Sequence, residues 1–184
     1  VDSIGGIIMN PMDGSIVAMS SQPDFDPNNL AKVTDPSVLS NPIVENVLEF
    51  GSVVKPLVMA AALNEHVVTA KTTYHDSGSV IVEDKEIFNF DRKGRGNNVT
   101  MQEVLNQSLN TGMVFVEKKL GRNNLKNYLL SYGLKDKSGI DLPNESSGLV
   151  SNLNSPRELE FANAAFGQGI AMTPISMIRA LASL

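Results

Sequence analysis

Between Pro56 and Leu63 the chain reads Pro-Leu-Val-Met-Ala-Ala-Ala-Leu, a run that is apolar on every face of a helix. A helix with no polar stripe belongs at a protein's centre, so the fold has to be assembled around this rod. The rod is expected to begin after Gly51 and run to about Glu65. At its mouth stand Ser52 and Lys55, three residues apart and therefore on one face. With 184 residues, 42% of them hydrophobic, the chain has enough apolar material to cover the rod as one domain, 1–184.

The flanking segments supply the cover. Two apolar runs, Gly6–Met9 and Ser15–Met19, flank Asn10-Pro11-Met12-Asp13-Gly14, whose proline and Asp-Gly are turn chemistry, so the chain opens on a hairpin. Neither run alternates cleanly, which predicts strands covered on both faces. Pro23, Pro27 and Pro36 exclude a long helix between Gln22 and Pro42. A small hairpin is expected at Ser79–Val82 and Glu86–Phe90, with Asp84-Lys85 at its turn. Thr100-Met101-Gln102-Glu103 has the form of a capping box and opens a helix to about Gln107. Helices over Thr111–Leu120 and Asn123–Tyr132 are each stopped by a glycine, Gly121 and Gly133. Ser155-Pro156-Arg157-Glu158 and Thr173-Pro174 read as two further helix starts. The pattern is several helices and few strands.

Charge and composition remove whole classes of function. Fifteen basic against 20 acidic residues leave a net charge of −5, the wrong sign for nucleic acid as main partner. The one basic run, Arg92-Lys93-Gly94-Arg95, reads as a solvated loop. Without cysteine there is no disulfide, zinc finger or thiol chemistry. His66 and His75 stand apart from each other. Asp24, Asp26 and Asn28 resemble a calcium loop, but Asn29 and Asp35 stand where its glycine and glutamate are required, so no metal site is expected. No apolar run reaches the ~20 residues of a membrane-crossing helix. There is no starting methionine or signal peptide; the chain begins inside a strand-like pattern and ends inside a helix-like one, as if cut from something longer.

Serine is a poor nucleophile near neutral pH, and a neutral amine beside it can take its proton. A lysine at the mouth of a buried helix must shed its charge or find a partner, and the lowered pKa suits a general base. Ser52 and Lys55 therefore offer acyl-enzyme chemistry without histidine; the plain alternative makes Ser52 an N-cap. A second pair, Ser108-Leu109-Asn110, lies at the break between two helices. Asn110 can cap the helix beginning at Thr111. Alternatively, Ser108 relays a proton between Lys55 and a leaving group while Asn110 holds a substrate amide and the lysine.

In this order, Ser-x-x-Lys and Ser-x-Asn resemble the first two motifs of the penicillin-binding protein and serine β-lactamase superfamily, whose third is Lys-Thr/Ser-Gly. Further segments resemble the transpeptidase domain of class B penicillin-binding proteins in particular. They are Asn10–Met19, Pro23–Asn28, Gly139–Glu145 and Phe166-Gly167-Gln168-Gly169-Ile170-Ala171-Met172-Thr173-Pro174. The resemblance covers nearly the whole chain. It implies an α+β fold, an antiparallel sheet flanked by helices, represented here by the helical part and the N-terminal hairpin.

Phe50 departs from the pattern, since the family often has proline before the Gly-Ser pair. The third motif belongs after the Gly-Gln-Gly segment, and the chain stops at Leu184 without it. Lys71-Thr72-Thr73 lacks the glycine, and Lys137-Ser138-Gly139 lies too early, in a polar loop where an edge strand is required. In the family that strand supplies one oxyanion donor, and losing one such donor slows acyl transfer about 10²–10³-fold. These 184 residues alone are thus expected to be inactive or very weak.

By resemblance, the catalytic set is Ser52, Lys55, Ser108 and Asn110. The implied reaction is D,D-transpeptidation of peptidoglycan stem peptides ending in D-Ala-D-Ala, with β-lactams as covalent inhibitors and no cofactor or metal. The implied parent is bacterial and anchored by an N-terminal helix, with this domain on the outer, periplasmic side of the cytoplasmic membrane among other cell-wall synthesis proteins. The residues around Ser52 look most like a division-type member. The same motifs also serve a hydrolytic relative (a β-lactamase or D,D-carboxypeptidase), a penicillin-sensing receptor domain, and a degenerate assembly domain.

Overall fold

The computed structural model describes residues 3–184. Its first half runs β1 (Ile4–Met9), β2 (Ile16–Gln22), α1 (Pro42–Glu45), α2 (Lys55–Asn64), β3 (Thr73–Asp76), β4 (Ser79–Val82), β5 (Lys85–Phe88) and β6 (Gly96–Thr100). The second half is helical: α3 (Met101–Asn106), α4 (Asn110–Leu120), α5 (Arg122–Ser131), α6 (Glu158–Ala164) and α7 (Pro174–Leu181). The class is α+β, as the resemblance implies.

The apolar rod is the centre. Leu57, Val58, Ala61 and Ala62 of α2 are fully buried, against α4 and α5. A short 3₁₀ turn, Gly51–Val54, precedes the helix, so the polar pair straddles the join.

The N-terminal hairpin pairs antiparallel from Ile4↔Gln22 to Met9↔Ile16, with a register shift at Ile8/Met9. One face rests on α1 and α7: Ile7, Met9, Ile16 and Met19 meet Ile43, Val44 and Ile175. The expectation of two covered faces does not hold. Ile4, Ile8 and Val17 are 68%, 60% and 70% exposed. The helices α1 and α7 that pack on β1 both serve the same face.

β4 and β5 form the expected small hairpin, with Glu83-Asp84 rather than Asp84-Lys85 at its turn; Glu83 takes the positive φ of 53°. β3 pairs with β6, two strands the sequence did not announce. The capping box is present: Thr100 Oγ1 accepts from Glu103 N–H at 3.2 Å and Glu103 Oε2 from Thr100 N–H at 2.8 Å. α4 and α5 end at Gly121 (φ 80°) and near Gly133 (φ 74°). The helix expected from Ser155 starts only at Glu158. Its entry is set from outside: Glu83 accepts from Glu158 N–H and, with Asp84, holds Arg157.

Glu117 of α4 is 2% exposed, and its Oε2 has no hydrogen-bond partner among the described residues. Burial first, then the nearby Glu158 carboxylate, raise its pKa from 4.5 to about 7; Arg122 and Lys118 oppose this weakly. A carboxyl whose folded-state pKa is raised adds stability below its unfolded value and loses it as pH climbs through the folded one. Stability should therefore fall between about pH 4.5 and pH 7 on this account. Glu117→Gln is expected to flatten that slope and to be about 1–3 kcal/mol more stable than wild type at pH 8. Urea unfolding at several pH values checks this; parallel pH profiles for the two proteins would assign the slope elsewhere.

Candidate active site

The turn that carries Ser52 is held by its own glycine and by a remote segment. Gly51 has φ 54°, in the left-handed region that glycine adopts most readily. Its N–H donates to Gly167 O at 3.3 Å, and Gly169 N–H donates to Glu49 Oε1 at 3.2 Å. Farther along, Leu48 and Met172 exchange backbone hydrogen bonds of 2.9 and 3.1 Å. The Phe166–Thr173 landmark thus clamps the approach to Ser52. As the second residue of its turn, Ser52 keeps a backbone N–H with no intrahelical acceptor. Its side chain is exposed.

Lys55 begins α2, on the same edge of the join as Ser52, because a 3₁₀ turn aligns residues three apart. It is 2% exposed. Nζ donates to Ser108 O at 2.7 Å, Ser108 Oγ at 2.9 Å and Asn110 Oδ1 at 2.8 Å. None of its hydrogen bonds among the described residues goes to Ser52 Oγ. Burial lowers its pKa from 10.5 to about 8. The three oxygens hold the ammonium in place. In the neutral form two N–H groups suffice for the carbonyls of Ser108 and Asn110, and the lone pair is left for a hydroxyl proton.

Ser108 sits at φ 53°, an uncommon conformation for serine that turns both its carbonyl and its hydroxyl onto Lys55. Asn110 does not cap a helix from Thr111, the plainer of its two readings. It is itself the first residue of α4, behind Leu109 as N-cap. Its amide instead bridges Lys55 and β5, with Nδ2 donating to Phe88 O at 2.9 Å. That bond fixes which way the amide points, so Oδ1 faces the amine. Lys55, Ser108 and Asn110 thus converge from more than fifty positions apart, with Ser52 at the mouth of the same helix.

Lys137-Ser138-Gly139 lies in a loop whose Ser138 and Gly139 N–H groups bind Glu145, with no strand there. Two contributors escaped the sequence reading. The Phe88 carbonyl is a backbone group and leaves no trace in residue type. Gly167 stood in a landmark, but nothing local tied it to Gly51.

The family model described as penicillin binding protein transpeptidase domain matches residues 4–184. Stage V sporulation protein D of Bacillus subtilis is 37% identical over 184 residues, covering 99% of this chain and 28% of that protein. Peptidoglycan D,D-transpeptidase FtsI of Escherichia coli is 27% identical over 188 residues, covering 100% of this chain and 30% of that protein. The chain therefore spans less than a third of these curated relatives. Among solved structures, the TP domain of Burkholderia pseudomallei penicillin-binding protein 3 superposes with a TM-score of 0.83 at 20% identity. The match covers 98% of this chain and 49% of that one, and shows a shared fold.

Proposed function

The chain belongs to the family of penicillin-binding protein transpeptidase domains, and from that premise we propose that it carries the acyl-transfer site of a peptidoglycan D,D-transpeptidase. Ser52 is its nucleophile, Lys55 the general base, Ser108 the proton relay, and Asn110 the group that orients both lysine and substrate amide. The observation that carries this reading is the buried Lys55 amine, held at 2.9 Å from the Ser108 hydroxyl and 2.8 Å from the Asn110 amide. An amine so placed is desolvated enough to lose its proton and close enough to a second hydroxyl to pass one on.

Ser52 Oγ attacks the carbonyl carbon joining the two terminal D-alanines of a stem peptide, and its proton moves to Lys55 Nζ. Catalytic hydrogen bonds often tighten only with substrate in place, so the Oγ–Nζ bond forms as the carbonyl docks. The free N–H of Ser52 donates to the developing oxyanion. The carbon–nitrogen bond then breaks. The proton travels from Nζ through Ser108 Oγ to the departing D-alanine amine, leaving an ester on Ser52. An amine from a neighbouring stem peptide attacks that ester and restores the serine.

A β-lactam enters by the same first step, and ring opening leaves it bonded to Oγ. Stem peptides lie outside the cytoplasmic membrane, so the domain works on that side of a bacterial membrane, in a parent anchored N-terminal to it.

The test is a fluorescent penicillin added to the full-length protein, followed by proteolysis and mass spectrometry. One adduct per chain is expected, on the peptide containing Ser52. No adduct, or one on another residue, would overturn the assignment.

A further inference from the structure

Asp76, the last residue of β3, is 1% exposed and has no role in the chemistry above. Its carboxylate accepts from Gly78 N–H at 2.9 Å, Asn89 Nδ2 at 3.0 Å, Arg95 N–H at 3.1 Å and Thr111 Oγ1 at 2.8 Å. Asn89, also 1% exposed, turns its other end to α4: Oδ1 accepts from Thr111 N–H at 3.2 Å. The Thr111 hydroxyl faces two acceptors, Asp76 Oδ1 at 2.8 Å and Asn89 Oδ1 at 3.1 Å, and Tyr74 Oη lies 3.0 Å from the same oxygen.

The location gives the cluster its meaning. Leu109, the N-cap of α4, has no side chain able to bind the helix's first N–H groups. Asn89 does so from another element, as a cap in trans. The preceding residue, Phe88, accepts from Asn110 Nδ2. The end of β5 therefore grips Asn110 and Thr111 side by side, and Asp76 fixes Asn89. From the same turn, Asn110 and the left-handed Ser108 meet Lys55. A conformation such as that of Ser108 persists only where its surroundings over-determine it.

We propose that Asp76, acting through Asn89 and Thr111, is a positioning residue for acyl transfer, holding the first turn of α4 so that Ser108 and Asn110 stay on the Lys55 amine. The proposal rests on the acyl-transfer reading above. Loosening the cluster admits water to Nζ and relieves the desolvation that lowers its pKa, so the base becomes both misplaced and harder to deprotonate.

The experiment compares Asp76→Asn, Thr111→Val and Thr111→Ser with wild type in the full-length protein. It measures the acylation rate by fluorescent penicillin from about pH 6 to pH 10, alongside thermal unfolding. Asp76→Asn and Thr111→Val are expected to acylate about 10–100-fold more slowly. Their rate should also rise at a higher pH than in wild type, while Thr111→Ser, which keeps the hydroxyl, stays close to wild type in both. A lower melting temperature with unchanged rate and midpoint would make the cluster purely structural and overturn the proposal. If Asp76→Asn does not fold, Thr111→Val decides, because valine keeps the threonine shape. Wild type that fails to label Ser52 removes the acyl-transfer reading and this role with it; labelled wild type with indifferent variants removes this role alone.

Discussion

Arginine in place of Lys55 is expected to slow acylation of Ser52 by a penicillin about 10³-fold or more. The substitution keeps a positive charge at the mouth of α2 and keeps hydrogen-bond donors for Ser108 and Asn110. What it removes is the capacity to lose a proton, since a guanidinium stays charged at any pH a protein survives. A lysine that served only as an electrostatic anchor would tolerate the exchange far better. With a pKa of about 8, about a tenth of the amine is neutral at pH 7. The wild-type acylation rate should accordingly rise through pH 8 and level off above it, and the arginine variant should lack that rise. Lys55 is 2% exposed, and a guanidinium is larger than an amine. Lys55→Met therefore serves as a companion, filling the space of the stem without charge; equal loss in both variants with normal unfolding assigns the effect to the missing base. Arginine acylating within about threefold of wild type would remove the neutral-amine mechanism, because no base of suitable pKa would remain at that position.

What the sequence disclosed and what it withheld divide along the distance between partners. The capping box from Thr100 to Glu103 is four residues long, so it could be read directly, and it is present as read. The glycine stops at Gly121 and Gly133 are equally local, and α4 and α5 end within a residue or so of the expected points. Ser52 and Lys55 were visible for the same reason. The strands β3 and β6 were not. Thr73-Tyr74-His75-Asp76 and Gly96-Asn97-Asn98-Val99-Thr100 are mostly polar, and their pairing carries a register irregularity. Their polar character serves the cluster around Asp76 and the approach to α4, which no period-of-two pattern announces. The start of α6 failed differently. Ser155 does accept from Arg157 N–H at 3.2 Å, as a capping serine should, but Glu83 takes the N–H of Glu158 and sets the helix there. A tertiary carboxylate outbid a local signal.

Gly167→Ala is expected to destabilise the domain by about 2–4 kcal/mol and to slow acylation of Ser52 about 100-fold in the protein that folds. Gly167 has φ 80°, a region costly to any residue with a Cβ. A methyl there would also overlap the carbonyl group of Gly51 and come within 2.9 Å of its Cα. These are backbone atoms of the turn that carries Ser52, so the collision cannot be relieved by a side-chain rotation. It has to displace the turn or the Phe166–Gly169 segment, and the two are joined by the Gly51 N–H bond to Gly167 O. Displacement of the turn moves Ser52 relative to Lys55, whose amine is fixed independently by Ser108 and Asn110. Gly51→Ala separates the two contributions. Gly51 also has positive φ, at 54°, but a Cβ there meets nothing within 4 Å. Its alanine should therefore cost only about 1–2 kcal/mol of backbone strain. Urea unfolding and penicillin acylation of both variants measure the difference. If the two alanines behave alike, the Gly167 contact does not set the position of the serine. A larger loss at 167 in stability and rate together makes the glycine landmark a clamp on the Ser52 turn, which accounts for its small residues by geometry.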